Sequence, residues 1–207
     1  MRESYKIYPC TRNSIKPFLI DRHYAKRIPS VSYSFGLYLN NELVGVITYG
    51  LPPSPTLCRG ICGNEFTNDV LELNRLCLKY NNKNEASMLV MGSMKFLKKP
   101  KIIVSFADTE QDHSGYVYQA TNFIYTGLST KRSEWAEVGK NTHSRGITGR
   151  YTLEERQSNP DRFYQKERSQ KHRYIYFWAN KKQKKIYLKN LKYKIFDYPK
   201  GNNVVCV

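Results

Sequence analysis

A chain of 207 residues is long enough for one substantial core, and length alone favours a single domain. Its 34 Lys and Arg against 17 Asp and Glu leave a formal charge of +17, too lopsided for a generic metabolic enzyme. That balance points to a polyanionic partner, nucleic acid ahead of an anionic membrane. No run of about eighteen apolar residues exists, and the opening MRESYKIYPC lacks the apolar region of a signal peptide, so a soluble, intracellular protein is expected. Cys10, Cys58, Cys62, Cys77 and Cys206 are odd in number and scattered, which argues for reduced thiols rather than a secreted disulfide framework. Cys58 and Cys62 form a C-x3-C pair, but no second Cys or His pair stands at zinc-finger spacing.

In chain order, SFGLYLN and LVGVITYG flank the turn signal NNE and read as a β-hairpin. The Pro- and Gly-rich LPPSPTLCRGICGNEF reads as loop. In DVLELNRLCLKY, the partly alternating Val70, Leu71, Leu73, Leu76 and Leu78 suit a strand. Turn residues then lead to Met88, Leu89, Met91, Met94, Phe96 and Leu97 at helical spacing, ending before Pro100. KIIVSFA is a short continuous apolar run, the mark of a strand covered on both faces. Gly115 to Ile124 follows as a second helix, with YTG starting another strand. Hairpin, strand, helix, strand, helix, strand makes an α/β arrangement with a mixed sheet.

Beyond about residue 150 the composition shifts to a stretch dense in Lys, Arg and Tyr, with the short apolar strand YIYFWA inside it. A division into a core, 1–150, and a basic extension packed on it, 151–207, is expected. Basic residues that neutralise phosphates beside rings that stack on bases form a nucleic-acid footprint; the plainer reading is a solvated helix face and an edge strand.

Asp108 falls at the end of KIIVSFA, where ligands of open α/β sheets usually bind. A carboxylate there accepts a proton or ligates a metal; equally, it caps the next turn. Asp112 and His113 follow closely and invite a metal reading with Asp108. Asn84, Ala86 and Ser87 open the first helix directly after a strand, which makes an anion site or an ordinary cap. DRHYAKR brings His23, Tyr24 and Arg27 together, with His23 a base or ligand and Tyr24 a donor or stacking ring.

HYAKR, YGLPPSP, ELNRL, SFADTEQDHSGYVYQATNFIYTG and VGKNTHSRGI occur in an order and spacing that resemble the phage Mom DNA-modification proteins, relatives of the GCN5-type N-acetyltransferase fold. The likeness runs from about Arg22 to Ile147, and the basic tail is also similar. It implies a GCN5-related mixed sheet flanked by helices and a transferase that converts adenine in double-stranded DNA to N6-(carbamoylmethyl)adenine, shielding phage DNA from restriction in the bacterial cytoplasm. It further implies a reaction centre lined by His23, Tyr24, Arg75, Asp108 and Tyr118, and a donor bound near Asn84, Ala86, Ser87 and Ser93. A buried Arg75 requires a carboxylate partner, for which Glu72 and Asp108 are the candidates.

The acyltransferase phosphate loop is absent, with NKNEAS in its place, and plain acetyl transfer would leave a carbonyl on N6 where the carbamoylmethyl product has a methylene. Two donors therefore stand open: an activated glycine, or an acetyl donor such as acetyl-CoA working with iron held by His23 and Asp108. Reaching N6 requires flipping the nucleotide into an aromatic pocket, with Tyr24, Tyr49, Phe106 and Tyr118 as its rings. Arg27, Lys171, Arg173, Lys181, Lys182, Lys184 and Lys185 are the expected phosphate contacts. The competing functions are an acyl-CoA-dependent N-acetyltransferase with another substrate, and a non-catalytic DNA-binding anti-restriction protein.

Overall fold

The structure, a computed structural model, describes residues 4–140, 142 and 144–200. Cys206, and Asn141 and His143 of the VGKNTHSRGI stretch, lie outside the described residues. Strand β1 (Tyr5–Pro9) leads into helix α1 (Arg12–Pro17) and a π-helical turn, Phe18–Arg22. The hairpin of β2 (Tyr33–Leu39) and β3 (Glu42–Gly50) turns on Asn40 and Asn41, both in the left-handed region at φ 49° and 69°. Asn tolerates that conformation, and two successive positive φ angles match the twist of the flanking strands.

The stretch that reads as loop instead carries α2 (Pro55–Cys62) and a 3-10 turn, Asn64–Asp69. Ser54 Oγ accepts from the Leu57 amide, Pro55 opens the first turn and Gly63 ends it at φ 105°. Pro55 and Gly63 are therefore helix boundaries rather than a loop signal. Cys58, Ile61 and Cys62 share the buried face of α2, and the four described cysteines are free thiols.

Strand β4 (Val70–Leu78) runs antiparallel to β3, with one irregularity. Thr48 pairs with Arg75 and Tyr49 with Leu73, leaving Asn74 as an extra residue. This β-bulge shifts the side-chain parity, so Leu71 and Leu73 before it and Leu76 and Leu78 after it all reach the same core. Asn74 is held by accepting from Thr48 Oγ1 at 2.6 Å and donating to the Ser30 carbonyl at 2.9 Å.

Helix α3 (Glu85–Met94) buries Leu89, Val90 and Met94, while Met88 and Phe96 are exposed, so its core face is narrower than the sequence spacing suggests. Strand β5 (Lys101–Asp108) is parallel to β4 for four rungs only, from Val70–Ile102 to Leu73–Ser105. Ser105 Oγ donates to the Leu73 carbonyl at 2.9 Å at the last rung, and beyond it the two strands separate.

A 3-10 turn (Thr109–Gln111) and α4 (Tyr116–Ala120), shorter than expected, precede β6 (Ile124–Leu128). Then come β7 (Arg132–Glu137), α5 (Ser144–Arg150), α6 (Leu153–Gln157), β8 (Phe163–Arg168), β9 (Lys171–Trp178) and α7 (Lys181–Asn190). The main sheet has the order β1-β2-β3-β4-β5-β9-β6, and β7 and β8 form a separate two-stranded ribbon. Residues 151–207, expected as an extension packed on the core, thus supply an interior strand of the main sheet. Tyr174 and Ile175 of β9 are fully buried on opposite faces, one with α3 and α4, the other with α2 and α7.

Gly115 starts α4 at φ 79°, and a Cβ there would collide with the Tyr174 ring. That ring cannot swing aside cheaply, because its hydroxyl donates to the Ser114 carbonyl and accepts from Gln119. Gly115→Ala is expected to cost about 2–4 kcal/mol in urea denaturation, from backbone strain plus overpacking.

Candidate active site in the split between two parallel strands

The separation of β4 from β5 opens a cleft, lined on one side by Leu73, Asn74, Arg75 and Leu76 and on the other by Phe106 and Ala107. Its rim is built by His23 and Tyr24, which follow the π-helical turn, and by His113, Gly115 and Tyr116 around the start of α4, with buried Tyr118 lining it from below. Tyr24 stacks on His23 at 4.5 Å and meets His113 edge-on at 5.9 Å.

Arg75 is half-buried in this cleft. One of its terminal nitrogens donates to the Asn74 carbonyl at 2.5 Å, but its Nε is buried without a hydrogen-bond partner, alone in this among the described residues. Neither Glu72 nor Asp108 makes an ion pair with it among the described residues, contrary to expectation. Burial, and the charge of Arg27 after it, lower the pKa of its guanidinium, against the pull of Tyr24, Glu72 and Tyr118. A desolvated donor of this kind costs stability as long as no acceptor reaches it.

His23 is 6% exposed, and burial, with help from Arg75 and His113, pushes its pKa down to about 4. Its Nδ1 accepts from the Ala25 amide at 3.1 Å, so the neutral ring carries its proton on Nε2. At neutral pH His23 is a hydrogen-bond donor, not a ready base. Burial also lowers the pKa of His113, against the pull of Asp108 and Asp112. His113 is thereby a second neutral imidazole in the cleft wall, whereas its spacing in the sequence suggests only a metal loop.

Asp108 does not line the cleft. It caps the Thr109–Gln111 turn through the Glu110 amide, accepts from Ser169 Oγ at 2.6 Å and pairs with Lys171. Burial opposes its ionisation, but the bonds from Lys171 and Ser169 outweigh that and hold the carboxyl below its usual range. Among the described residues no three His, Cys, Asp or Glu side chains gather as a metal donor set. With Asp108 engaged by Lys171 and Ser169, and His23 Nδ1 by a backbone amide, these residues do not fit the expected iron centre.

The expected donor site is also altered. Asn84 stands in the left-handed region without a side-chain cap, and Ser87 Oγ turns back to the Asn84 carbonyl. Glu85, fully buried, fills the helix start: its carboxylate accepts from the Asn82 amide, Asn82 Nδ2 and Tyr5. A carboxylate buried at the positive end of α3 disfavours a pyrophosphate there, so the CoA mode of acyltransferases does not fit. Ser93 is fully buried between Tyr49 and the Val90 carbonyl, out of ligand reach, and Tyr49 is likewise core rather than pocket.

Among the expected phosphate contacts, Lys171 is committed to Asp108, and Arg173 to Thr126 and, at 3.5 Å, the Tyr193 ring. Arg27 is exposed, and its charge reaches Arg75 and Glu72. Lys181, Lys182, Lys184 and Lys185 open α7, just beyond Trp178, which pairs with Lys101 at the opposite end of β5 from Asp108. Seven strand steps of about 3.3 Å separate the two ends, roughly 23 Å.

As pH falls from 6.5 toward about 4, the unfolded chain protonates His23 while the folded one resists. Stability therefore drops through that window, and His113 and His172, also lowered by burial, add to the drop with the same sign. His23→Gln is expected to flatten the fall in urea midpoint between pH 6.5 and 4.5; an unchanged slope would place His23 in solvent.

The Mom protein family model matches residues 4–200. The methylcarbamoylase Mom of Escherichia phage Mu is 29% identical over 191 residues, which cover 86% of this chain and 77% of that protein. Among solved structures, one assigned as an acetyltransferase from Acinetobacter baylyi superposes with a TM-score of 0.50 at 11% identity, over 86% of this chain and 94% of that one. An N-acetyltransferase from Staphylococcus aureus gives 0.48 at 14% identity, over 84% and 98%. The sheet with its split parallel pair is of the acetyltransferase type, and a match that spans nearly the whole described chain makes this protein a member of the Mom family.

Proposed function

We propose that this chain is a DNA-modifying transferase that converts adenine to N6-(carbamoylmethyl)adenine, protecting phage DNA from restriction endonucleases. The observation that carries the reading is the orphaned Nε of Arg75 in a cleft walled by two neutral histidines and exposed aromatic rings. Membership of the Mom family and a charge of +17 support double-stranded DNA as the substrate. Tyr24 (42% exposed), Tyr116 (48%) and half-buried Phe106 offer faces to a flipped base, while Tyr118 packs beneath them against Phe123 and Tyr174.

An activated glycine is the donor whose atoms balance. Adenine N6 attacks the glycyl carbonyl and the carrier leaves with the N6 proton, giving N6-glycyladenine. Arg75 and the Nε2–H of His23 face the oxyanion that forms in this step. The glycyl amine then attacks C6: a C6–N bond forms to the glycine nitrogen and the bond to the original N6 breaks. One proton passes from the attacking amine to the departing nitrogen, which becomes the carboxamide. His113, neutral and unhindered by a formal charge, relays it. The isomerisation consumes no oxidant, and it needs neither a pyrophosphate site nor a metal. Asp108 acts as a positioning residue, tying the loop that carries His113 to β9 through Lys171 and Ser169. Arg27 at the rim, and the α7 lysines at longer range, contact phosphates.

Mass spectrometry of nucleosides from plasmid DNA in expressing cells tests the reading. Wild type is expected to yield a deoxyadenosine heavier by one carbamoylmethyl group, with label from both carbons and the nitrogen of fed glycine. Arg75→Ala should lower the yield on the order of a hundredfold, as the loss of an oxyanion donor does. A modified base free of glycine label would overturn the donor, and unmodified DNA would overturn the function. Lys171→Met should reproduce the defect of Asp108→Ala if Asp108 positions the loop; if Asp108 itself reacts, only Asp108→Ala will be inactive.

A further inference from the structure

Between β6 and β9 the chain leaves the main sheet for about forty residues and returns, carrying the β7–β8 ribbon with α5 and α6. One face of the ribbon is covered over Trp135, Glu137 and Phe163, while Ser133, Gln165 and Glu167 on the same face stay exposed. Trp135 lies under the Arg156 guanidinium of α6 at 5.0 Å, Phe163 packs on Tyr151 at 4.9 Å, and buried Glu137 takes both Lys140 and Arg162. The register pairs Arg132 with Arg168, Glu134 with Lys166 and Ala136 with Tyr164. Because side chains alternate along each strand, these six residues form the other face. Arg132, Tyr164, Lys166 and Arg168 on it are exposed, and Glu134 is the face's only carboxylate, 3.9 Å from Arg168.

The root of the ribbon is fixed to the wall of the cleft. Ser129 and Lys171, at its two ends, are bonded through the Ser129 amide to the Lys171 carbonyl at 2.8 Å and back through Ser129 Oγ at 2.9 Å. Thr109 Oγ1 donates to the Gln170 carbonyl at 2.7 Å, and Ser169 is bound to Asp108. The loop so clamped runs directly into His113. Beside it an open groove of ≈ 690 Å³ between ribbon and loop is lined by Lys131, Arg132 and Arg168 together with the carboxylates of Glu110 and Glu167. The α7 lysines lie at the opposite end of the sheet.

We infer that the β7–β8 ribbon is the element that engages duplex DNA, laying Arg132, Tyr164, Lys166 and Arg168 into the major groove beside the adenine that enters the cleft. A two-stranded ribbon fits the B-form major groove, about 12 Å wide, while the deep, narrow groove of A-form RNA excludes it. Three cations against one carboxylate match the phosphate rims, and Tyr164 supplies an apolar, hydrogen-bonding contact to base edges. The inference rests on the reading of the cleft as a DNA-modifying site, and it assigns register and orientation on the duplex to a segment apart from the reacting residues.

The test measures binding of a mixed-sequence DNA duplex and an RNA duplex of equal length across a salt series. The proteins are the wild type, Arg132→Glu/Lys166→Glu/Arg168→Glu, its milder Gln counterpart, and a charge-matched control, Lys6→Glu/Lys95→Glu/Lys98→Glu, on exposed sites away from the ribbon. Wild type should prefer the DNA duplex. The ribbon variants should bind DNA about tenfold or more weakly, with a salt slope shallower by roughly one for each phosphate ion pair removed, while the control changes much less. Equal weakening in ribbon and control variants, or equal binding of RNA and DNA, would overturn the ribbon's role. Should the Glu form unfold, as circular dichroism would reveal, the Gln form decides by the same criteria. Nucleoside mass spectrometry of wild-type cells separates the two readings: modified adenine with unimpaired ribbon variants sinks only the ribbon, and unmodified DNA sinks the enzymatic assignment whatever the ribbon does.

Discussion

One extra residue in β4 governs the site. Asn74 stands in the ladder between Leu73 and Arg75, and the bulge it makes bends β4 just where β5 stops pairing with it. A continuous parallel pair would have filled that space with backbone hydrogen bonds and left no room for a ligand. The bond from Ser105 Oγ to the Leu73 carbonyl clasps the last paired rung, so the cleft starts at a defined place. The bulge also rotates Arg75 out of the alternation that keeps Leu71, Leu73, Leu76 and Leu78 in the core.

Around that split the chain spends polar groups unevenly. Asp108, Lys171 and Ser169 satisfy one another and tie the loop to β9. Glu85 and Asn82 tie the turn that precedes α3. Arg75 is left desolvated and incomplete, with two neutral imidazoles nearby. Complete networks hold shape, whereas an incomplete donor in a cleft carries an uncompensated desolvation cost. Beneath them the ring of Tyr174 lies 5.3 Å from that of Tyr118 and 5.1 Å from that of Tyr125, which packs the floor of the cleft.

Much of this is legible in the sequence. Asn40-Asn41 between two apolar runs specifies the hairpin, and KIIVSFA specifies a strand buried on both faces. The bulge itself leaves a trace: LELNRLCL alternates, skips one position and alternates again, which is what one inserted residue does to a period of two. The helix in LPPSPTLCRGICGNEF is hidden because Pro55 and Gly63 carry loop character by composition, while at a helix's first position and just past its end they are boundary residues. The Asp108 motif announces a special loop, but not that its carboxylate is consumed by Lys171, a partner 63 positions away.

Local patterning thus determined which segments become strands and helices, the basic character of the chain and, through the length and order of its motifs, its family. These follow from periods, turn chemistry and composition, which act over a few residues. Tertiary structure alone decided that β9 enters between β5 and β6, which turns a basic, tyrosine-rich stretch into core and roots the β7–β8 ribbon at the cleft. It also decided which charges stay free: Lys171 and Arg173 are neutralised or covered, while Arg75 is buried without a full set of partners. Strand insertion and charge pairing depend on contacts between residues far apart in sequence, and no local pattern encodes the partner.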